Sequence, residues 1–110
     1  MNALKKLLYR ILSEKQYLRL LHRSFYLLYD LGLLKGNPKF KYHYAVKKLI
    51  KPEFTVIDIG ANLGYFSKNF ARLANRGKVI SIEPVPQFFD TLDHFMRKFK
   101  NSVRYNVALG

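Results

Sequence analysis

A short run of β-branched residues leads directly into a glycine-containing turn, and this junction constrains the fold more than any other part of the chain. The run is 55–59, and Gly60 and Gly64 bracket the turn that follows it. Such a run favours a buried strand, and the apolar spacing over 65–75 predicts a helix immediately after the turn. A strand that feeds a helix in this way is typical of a parallel α/β sheet, in which ligands bind at the carboxyl ends of the strands.

The same alternation continues along the rest of the sequence. Residues 78–83 and 103–107 are each predicted to be a strand, and 87–100 is predicted to be the helix between them. Gly77, just before the second strand, is expected to be a left-handed helix cap. The order β-α-β-α-β predicts an α/β fold with a Rossmann-like parallel sheet of about three strands, preceded by N-terminal helices.

The chain is expected to divide into a basic amphipathic helical leader over 1–50 and an α/β part over 51–110. The whole chain has 20 Lys and Arg against 7 Asp and Glu, which gives a net charge of +13. Eleven of the basic residues and two of the acidic ones lie in the leader. Apolar residues at helical spacing predict a first helix over 4–12, and Ser13 with Gln16 predicts a capping box that starts a second helix.

Two interpretations of the leader remain open. In the favoured one its apolar stripe packs on the α/β part, because amphipathicity is ordinary for a surface helix. In the other, residues 1–50 contact an anionic membrane surface. Nucleic acid is not expected as a partner, since the sequence has neither zinc-finger spacing nor an RNA-binding aromatic motif. The sequence shows no export signal and no bilayer-spanning apolar run, so a cytoplasmic location is expected. The alternative is a cytoplasmic location with peripheral contact to the membrane.

The composition excludes several kinds of chemistry. The chain has no cysteine, which excludes disulfides, thiol catalysis and cysteine-ligated zinc. Its three histidines, His22, His43 and His94, are scattered along the sequence and are expected to be surface or packing residues. We therefore predict no metal site and assign no catalytic residue.

The glycine-containing turn restricts the class of ligand. A P-loop needs a different glycine spacing followed by Lys, and a dinucleotide fingerprint needs glycine where Asn62 stands. Asp58, two residues before Gly60, is placed for a ligand's ammonium group, and free amides at the start of the helix would favour a carboxylate. Glu83, at the end of the second strand, is placed to accept hydrogen bonds from ribose hydroxyls. An amino acid joined to a ribose favours S-adenosylmethionine over a pyrophosphate cofactor.

Three segments together resemble the FkbM family of methyltransferases. They are Val56–Ser67, Ile82-Glu83-Pro84 and Asn106–Gly110, and they occur in the family's order. The resemblance covers 50–110 and implies the class I, S-adenosylmethionine-binding fold. It also implies transfer of a methyl group to a hydroxyl oxygen, often of a sugar or another small molecule.

The resemblance implies a role for each matching residue. Asp58 would hold the methionine end of the cofactor, and Glu83 would bind the ribose hydroxyls. The resemblance implies that the methionine carboxylate would be surrounded by Gly60, Ala61, Asn62 and Gly64. It also implies that Ala108 would lie near the adenine.

Methyltransferases of this class have a longer sheet than the one predicted here. We therefore expect the sequence to be a fragment that lacks the acceptor pocket and leaves one apolar sheet edge unpaired. The alternative function is a module that binds the cofactor, a polyanion or a membrane without catalysis.

Overall fold

The computed structural model describes residues 2–110. The N-terminal half is helical and consists of α1 (Ala3–Ile11), α2 (Glu14–Asp30), a 3₁₀ turn (Pro38–Phe40) and α3 (Lys41–Leu49). The second half alternates strands and helices in the order β1 (Thr55–Ile59), α4 (Ser67–Leu73), β2 (Lys78–Ile82), α5 (Pro86–Met96) and β3 (Ser102–Tyr105). The predicted α/β fold with N-terminal helices is confirmed.

The strands form one parallel, 3-stranded sheet in the order β1-β2-β3. In this register Ile57 pairs with Ile80, and Ile80 pairs with Val103. Both connecting helices pack on the same face, because Val79 of the middle strand shares one core cluster with residues of α4 and α5. Two consecutive crossovers of the same hand produce this arrangement, and right-handed crossovers are the rule in parallel sheets. It brings the carboxyl ends of all the strands to one end of the sheet.

An apolar core lies between the sheet and the helices α4 and α5. Val79 of β2 and Leu92 and Met96 of α5 are each 0% exposed. Full burial of side chains of this size contributes about 1.5–3 kcal/mol each. The core holds both helices against the strands, and it thereby fixes where the connecting loops emerge.

The opposite face of the sheet is uncovered within residues 2–110. Ile57 and Ile59 of β1 are 59% and 66% exposed, and Tyr105 of β3 is 50% exposed. We call these three side chains the open sheet face. Both β1 and β3 are edge strands. The prediction of one unpaired edge was therefore wrong only in number, because an open sheet has two edges and neither β1 nor β3 has a second partner among residues 2–110.

Helix α2 connects the helical half to the α/β half. Its buried residues Tyr17 and Leu18 form an apolar cluster with Leu63, which lies in the turn after β1. This contact places α2 directly against the strand ends. Helix α2 therefore packs its apolar residues on the α/β part, which agrees with the favoured interpretation of the leader for this helix.

The apolar stripe of α1, in contrast, is largely exposed. Leu4, Leu7 and Ile11 are 64%, 51% and 67% exposed, while Leu8 and Leu12 pack against the cluster at α2. The packed interpretation therefore describes only part of α1. No helix among residues 2–110 combines the length and the apolar character that crossing a membrane requires.

Local signals in the sequence place the start and end of α2. The Ser13 hydroxyl accepts a hydrogen bond from the Gln16 amide at 3.2 Å, and the Gln16 side chain accepts one from the Ser13 amide at 3.0 Å. The predicted capping box is thus confirmed. Gly32 follows the helix with φ +77°, a left-handed conformation that suits glycine at a helix end.

Two local predictions were wrong, apart from the ends of the predicted helix 87–100 and strand 103–107, which the structure places at Met96 and Tyr105. The helix after the glycine-containing turn begins at Ser67 rather than at Tyr65, because the turn is longer than the apolar spacing indicated. Gly77 does not have a left-handed φ, and a Cβ atom there would overlap the backbone carbonyl of Phe54. Glycine at this position thus allows a close approach of two backbone segments, which no local pattern indicates.

Candidate cofactor site

The turn between β1 and α4, which we call the glycine loop, comprises residues 60–66. Gly60, Asn62 and Gly64 have positive φ angles of +71°, +56° and +93°. Residues with a Cβ atom rarely adopt this conformation, and Asn tolerates it better than most. Alternate residues therefore bend the loop sharply, which explains why glycine or Asn stands at each of these positions.

Most amide groups in the first part of the glycine loop are used within the chain. The N–H groups of Gly60 and Ala61 both donate to the carbonyl oxygen of Ile82, each at 2.9 Å. The N–H group of Gly64 donates to the Ala61 carbonyl, also at 2.9 Å. These three groups therefore have no free amide hydrogen for a carboxylate, because the loop closes on the end of β2 and on itself. The amides that we expect to favour a carboxylate are those at the start of the helix, which begins further along the chain at Ser67.

The carboxylate of Glu83 joins the end of β2 to the glycine loop. Glu83 is 4% exposed; its Oε1 accepts a hydrogen bond from the Asn62 amide at 2.8 Å, and its Oε2 accepts one from the Val85 amide at 2.9 Å. An ionised carboxylate offers about four acceptor positions. Glu83 therefore keeps acceptor capacity for further donors such as hydroxyl groups.

Asp58 lies next to the glycine loop in a small polar cluster. Its Oδ2 accepts a hydrogen bond from the Ser67 hydroxyl at 2.6 Å, and the Ser67 Oγ lies 2.8 Å from the Ser81 Oγ. Burial raises the pKa of Asp58; the bond from Ser67 opposes this shift and the charge of Glu83 adds to it. Sequence reasoning missed both serines. Ser81 is the register partner of Asp58, and that relation appears only when the strands are paired.

The two glycines of the predicted site have different surroundings. A Cβ atom built on Gly60 would meet nothing within 4 Å, so open space adjoins this residue. A Cβ atom on Gly64 would lie 3.1 Å from the Leu92 side chain and 3.6 Å from the His22 ring. Gly60 thus faces space that a ligand can occupy, whereas Gly64 allows two helices to approach. Ala61 is 5% exposed in the core, which leaves only its backbone to face a ligand.

The segment after β3 is tied to the end of β2. The Asn106 side-chain amide donates to the carbonyl oxygens of Glu83 at 2.8 Å and Pro84 at 3.1 Å. Ala108 lies two residues further on and is exposed. The structure therefore brings Asp58, the glycine loop and Glu83 together, while Ala108 lies in the exposed segment that follows Asn106. Sequence reasoning assigned Asn106 only to a family motif and missed its bonds.

The histidines are not arranged as a metal site. His22 is 1% exposed, and the His43 ring stacks on Phe66 with 3.8 Å between ring centroids, so both are packing residues as predicted. Among residues 2–110, no group of three or more His, Cys, Asp and Glu side chains could hold a metal ion. Sequence reasoning missed that His22 and Tyr26 of α2 form hydrogen bonds to the glycine loop.

Several solved structures share this fold. P. horikoshii TYW2 in complex with MeSAdo is 28% identical with a TM-score of 0.54, over 61% of this chain and 26% of that one. The 23S rRNA methyltransferase ErmE is 20% identical with a TM-score of 0.53, over 62% of this chain and 28% of that one. A SAM dependent methyltransferase from Aquifex aeolicus is 18% identical with a TM-score of 0.50, over 62% of this chain and 37% of that one.

These comparisons concern the fold and only part of each larger protein. The chain spans between 26% and 37% of the length of these three structures. No model of a protein family and no curated protein matches the sequence. The chain thus has the Rossmann-like α/β fold found in S-adenosylmethionine-dependent methyltransferases.

Proposed function

We propose that this chain is part of an S-adenosylmethionine-dependent methyltransferase. The observation that carries the proposal is the contact between the glycine loop and Glu83 beside the open space at Gly60. A nucleoside joined to an amino acid fits these groups, because Glu83 retains acceptor positions for hydroxyl groups. Asp58 provides a second carboxylate, close enough for the Glu83 charge to raise its pKa.

The residues of the chain bind and orient the cofactor in this proposal. Glu83 accepts hydrogen bonds from the ribose hydroxyls, and Asp58 attracts the ammonium group of the methionine end. The methionine end of the cofactor is surrounded by the backbone of Gly60, Ala61, Asn62 and Gly64. Ala108 borders the adenine. When bound, the cofactor supplies an electrophilic methyl group carried on sulfur, and the protein's contribution is to position it.

We further propose that the acceptor is a hydroxyl group of a sugar or another small molecule. The support for this is the resemblance of Val56–Ser67, Ile82-Glu83-Pro84 and Asn106–Gly110 to the FkbM family. No residue of the described part is assigned as the catalytic base. A methyl-transfer assay with small hydroxylated acceptors separates this function from that of a module that binds without catalysis.

Calorimetric titration of the chain with S-adenosylhomocysteine and, separately, with NAD tests the proposed cofactor. We expect heat of binding with S-adenosylhomocysteine and none with NAD, because Asn62 stands where a dinucleotide fingerprint needs glycine. Binding of NAD alone, or of neither molecule, would contradict the proposal.

A second proposal concerns residues 1–50, which we expect to contact an anionic membrane surface peripherally. The supporting observation is that α1 exposes Leu4, Leu7 and Ile11. Lys5 and Lys6 lie on the same helix between them. An amphipathic helix with an apolar stripe and basic residues binds anionic lipid through both features.

A further inference from the structure

We propose that α2 is a positioning element for the glycine loop and acts through His22 and Tyr26. These side chains bind backbone carbonyl groups in the second half of the glycine loop, whereas the first half is bonded to the end of β2. The inference rests on the proposed function for its consequence in cofactor binding. Its structural content, a loop held in shape by α2, stands on the contacts alone.

Two side chains of α2 place their donor atoms within hydrogen-bond distance of three successive carbonyl groups of the loop. His22 Nδ1 lies 2.8 Å from the Leu63 carbonyl oxygen, which can only accept, so Nδ1 carries the proton and donates. The Tyr26 hydroxyl lies 3.2 Å from the Gly64 carbonyl oxygen and donates to the Tyr65 carbonyl oxygen at 2.7 Å. Residues four apart share one face of a helix, which lets both side chains reach the same loop.

The loop is therefore held at both of its ends. Its first residues donate their amide hydrogens to β2, through the Ile82 carbonyl and the Glu83 carboxylate. Its last residues present their carbonyl oxygens to α2. Three positive φ angles within five residues are uncommon, so this loop shape persists only where its surroundings enforce it. The bonds from α2 add to the packing of Leu63 on Tyr17 and Leu18 in holding the half of the loop that is further from β2.

The surroundings of His22 fix its ring beside the loop. It is 1% exposed, and its ring stacks on Phe95 with 3.8 Å between ring centroids. Burial holds the ring in its neutral form and lowers the pKa of His22 to about 4. The His22 ring also lies 3.6 Å from the position that a Cβ atom on Gly64 would take. The absence of a side chain at Gly64 therefore allows α2 to pack close to the loop.

Tyr29 supplies a matched control on the same helix. Its side chain is 3% exposed, as that of Tyr26 is, and its hydroxyl donates to the His43 carbonyl oxygen at 2.7 Å. Tyr26→Phe and Tyr29→Phe therefore each remove a buried tyrosine-to-carbonyl hydrogen bond from α2. Only Tyr26→Phe removes the bonds to the glycine loop.

The experiment compares the two variants in the whole chain by amide hydrogen exchange and by calorimetry with S-adenosylhomocysteine. We expect exchange over 60–66 to be about five- to tenfold faster in Tyr26→Phe than in Tyr29→Phe, and cofactor affinity to fall by a similar factor. Equal exchange over the loop in the two variants would overturn the positioning role. Absence of binding in the unaltered chain would refute the proposed function, while the exchange comparison would still decide the role of α2.

Where Tyr26→Phe yields no folded protein, the pair His22→Asn and His22→Leu replaces it. Asn retains a donor near the position of Nδ1, whereas Leu retains only the bulk. We expect loop exchange to stay slow in His22→Asn and to become fast in His22→Leu. The same loop exchange in both variants would overturn the proposal.

Discussion

The backbone amide of Asn62 donates a hydrogen bond to the carboxylate of Glu83 at 2.8 Å, and this bond fastens the turn after the first strand to the end of the second. The two groups are 21 residues apart in sequence. Glu83 thus has a structural role in shaping the loop, in addition to the cofactor-binding role that we propose for it. Any test at Glu83 has to separate the two.

Replacement of Glu83 by Ala should weaken the binding of S-adenosylmethionine by about 1.5–3 kcal/mol, the usual contribution of a hydrogen bond to a charged group. Calorimetry gives the affinity, and urea unfolding checks that the fold survives the loss of the two backbone contacts. Glu53→Ala is the control, because the Glu53 side chain is 62% exposed. Unchanged affinity in folded Glu83→Ala would remove Glu83 from the cofactor site.

Replacement of Gly60 by Val should abolish cofactor binding, because a branched side chain fills the space beside the loop and resists a φ of +71°. Gly60→Asn separates the two causes, since Asn tolerates positive φ but still occupies the space. We expect Gly60→Asn to retain near-normal thermal stability and to lose binding. Retained affinity in Gly60→Asn would show that no ligand approaches the loop at this residue.

Stability should fall as the pH falls from about 6.5 to about 4, because His22 has its pKa lowered to about 4 in the folded chain. The unfolded chain binds a proton in this range and the folded chain does not, so protonation favours unfolding. The expected loss is about 2 kcal/mol by pH 5. Urea unfolding at pH 7 and pH 5 measures it. His22→Asn, which does not titrate, should lose less stability over the same interval, and an equal loss would contradict the assignment to His22.

The open sheet face should make the isolated chain self-associate, because Ile57 and Ile59 lie exposed on an unpaired edge strand. Ile59→Lys should reduce self-association in sedimentation velocity, since a charge on this face opposes its burial. Leu33→Lys is the control, being 67% exposed outside the sheet. A chain that stays monomeric at every concentration, or an equal effect of both substitutions, would refute this prediction.

Binding to vesicles that contain phosphatidylserine should decrease steeply with salt, because screening weakens the attraction of the basic leader to anionic lipid. The joint substitution of Leu4, Leu7 and Ile11 by Ser should abolish cosedimentation with these vesicles. Replacement of Leu27 and Leu31 by Ser is the control, since both are exposed at the C-terminal end of α2, away from α1 in sequence. Salt-independent binding, or none, would count against membrane contact by α1.

The local features of this fold were predictable from the sequence. The strand at Thr55–Ile59 has the bounds predicted for it, and the capping box at Ser13 and Gln16 formed as predicted. These features depend on residues that are close in sequence, so side-chain branching and spacing carry the necessary information. The turn at Gly60 and the acid at Glu83 were predictable for the same reason, since each ends a recognisable strand.

The long-range features were decided only by the tertiary structure. Gly77 accommodates the backbone of Phe54. His22 and Tyr26 reach carbonyl groups of the glycine loop that are 38 to 41 residues away in sequence. Hydrogen bonds of this kind depend on which surfaces the packed core brings together, and no local spacing encodes them. The sequence by itself determined the strands, the helices and the glycine loop, whereas packing of α2 against the sheet ends decided what holds that loop in shape.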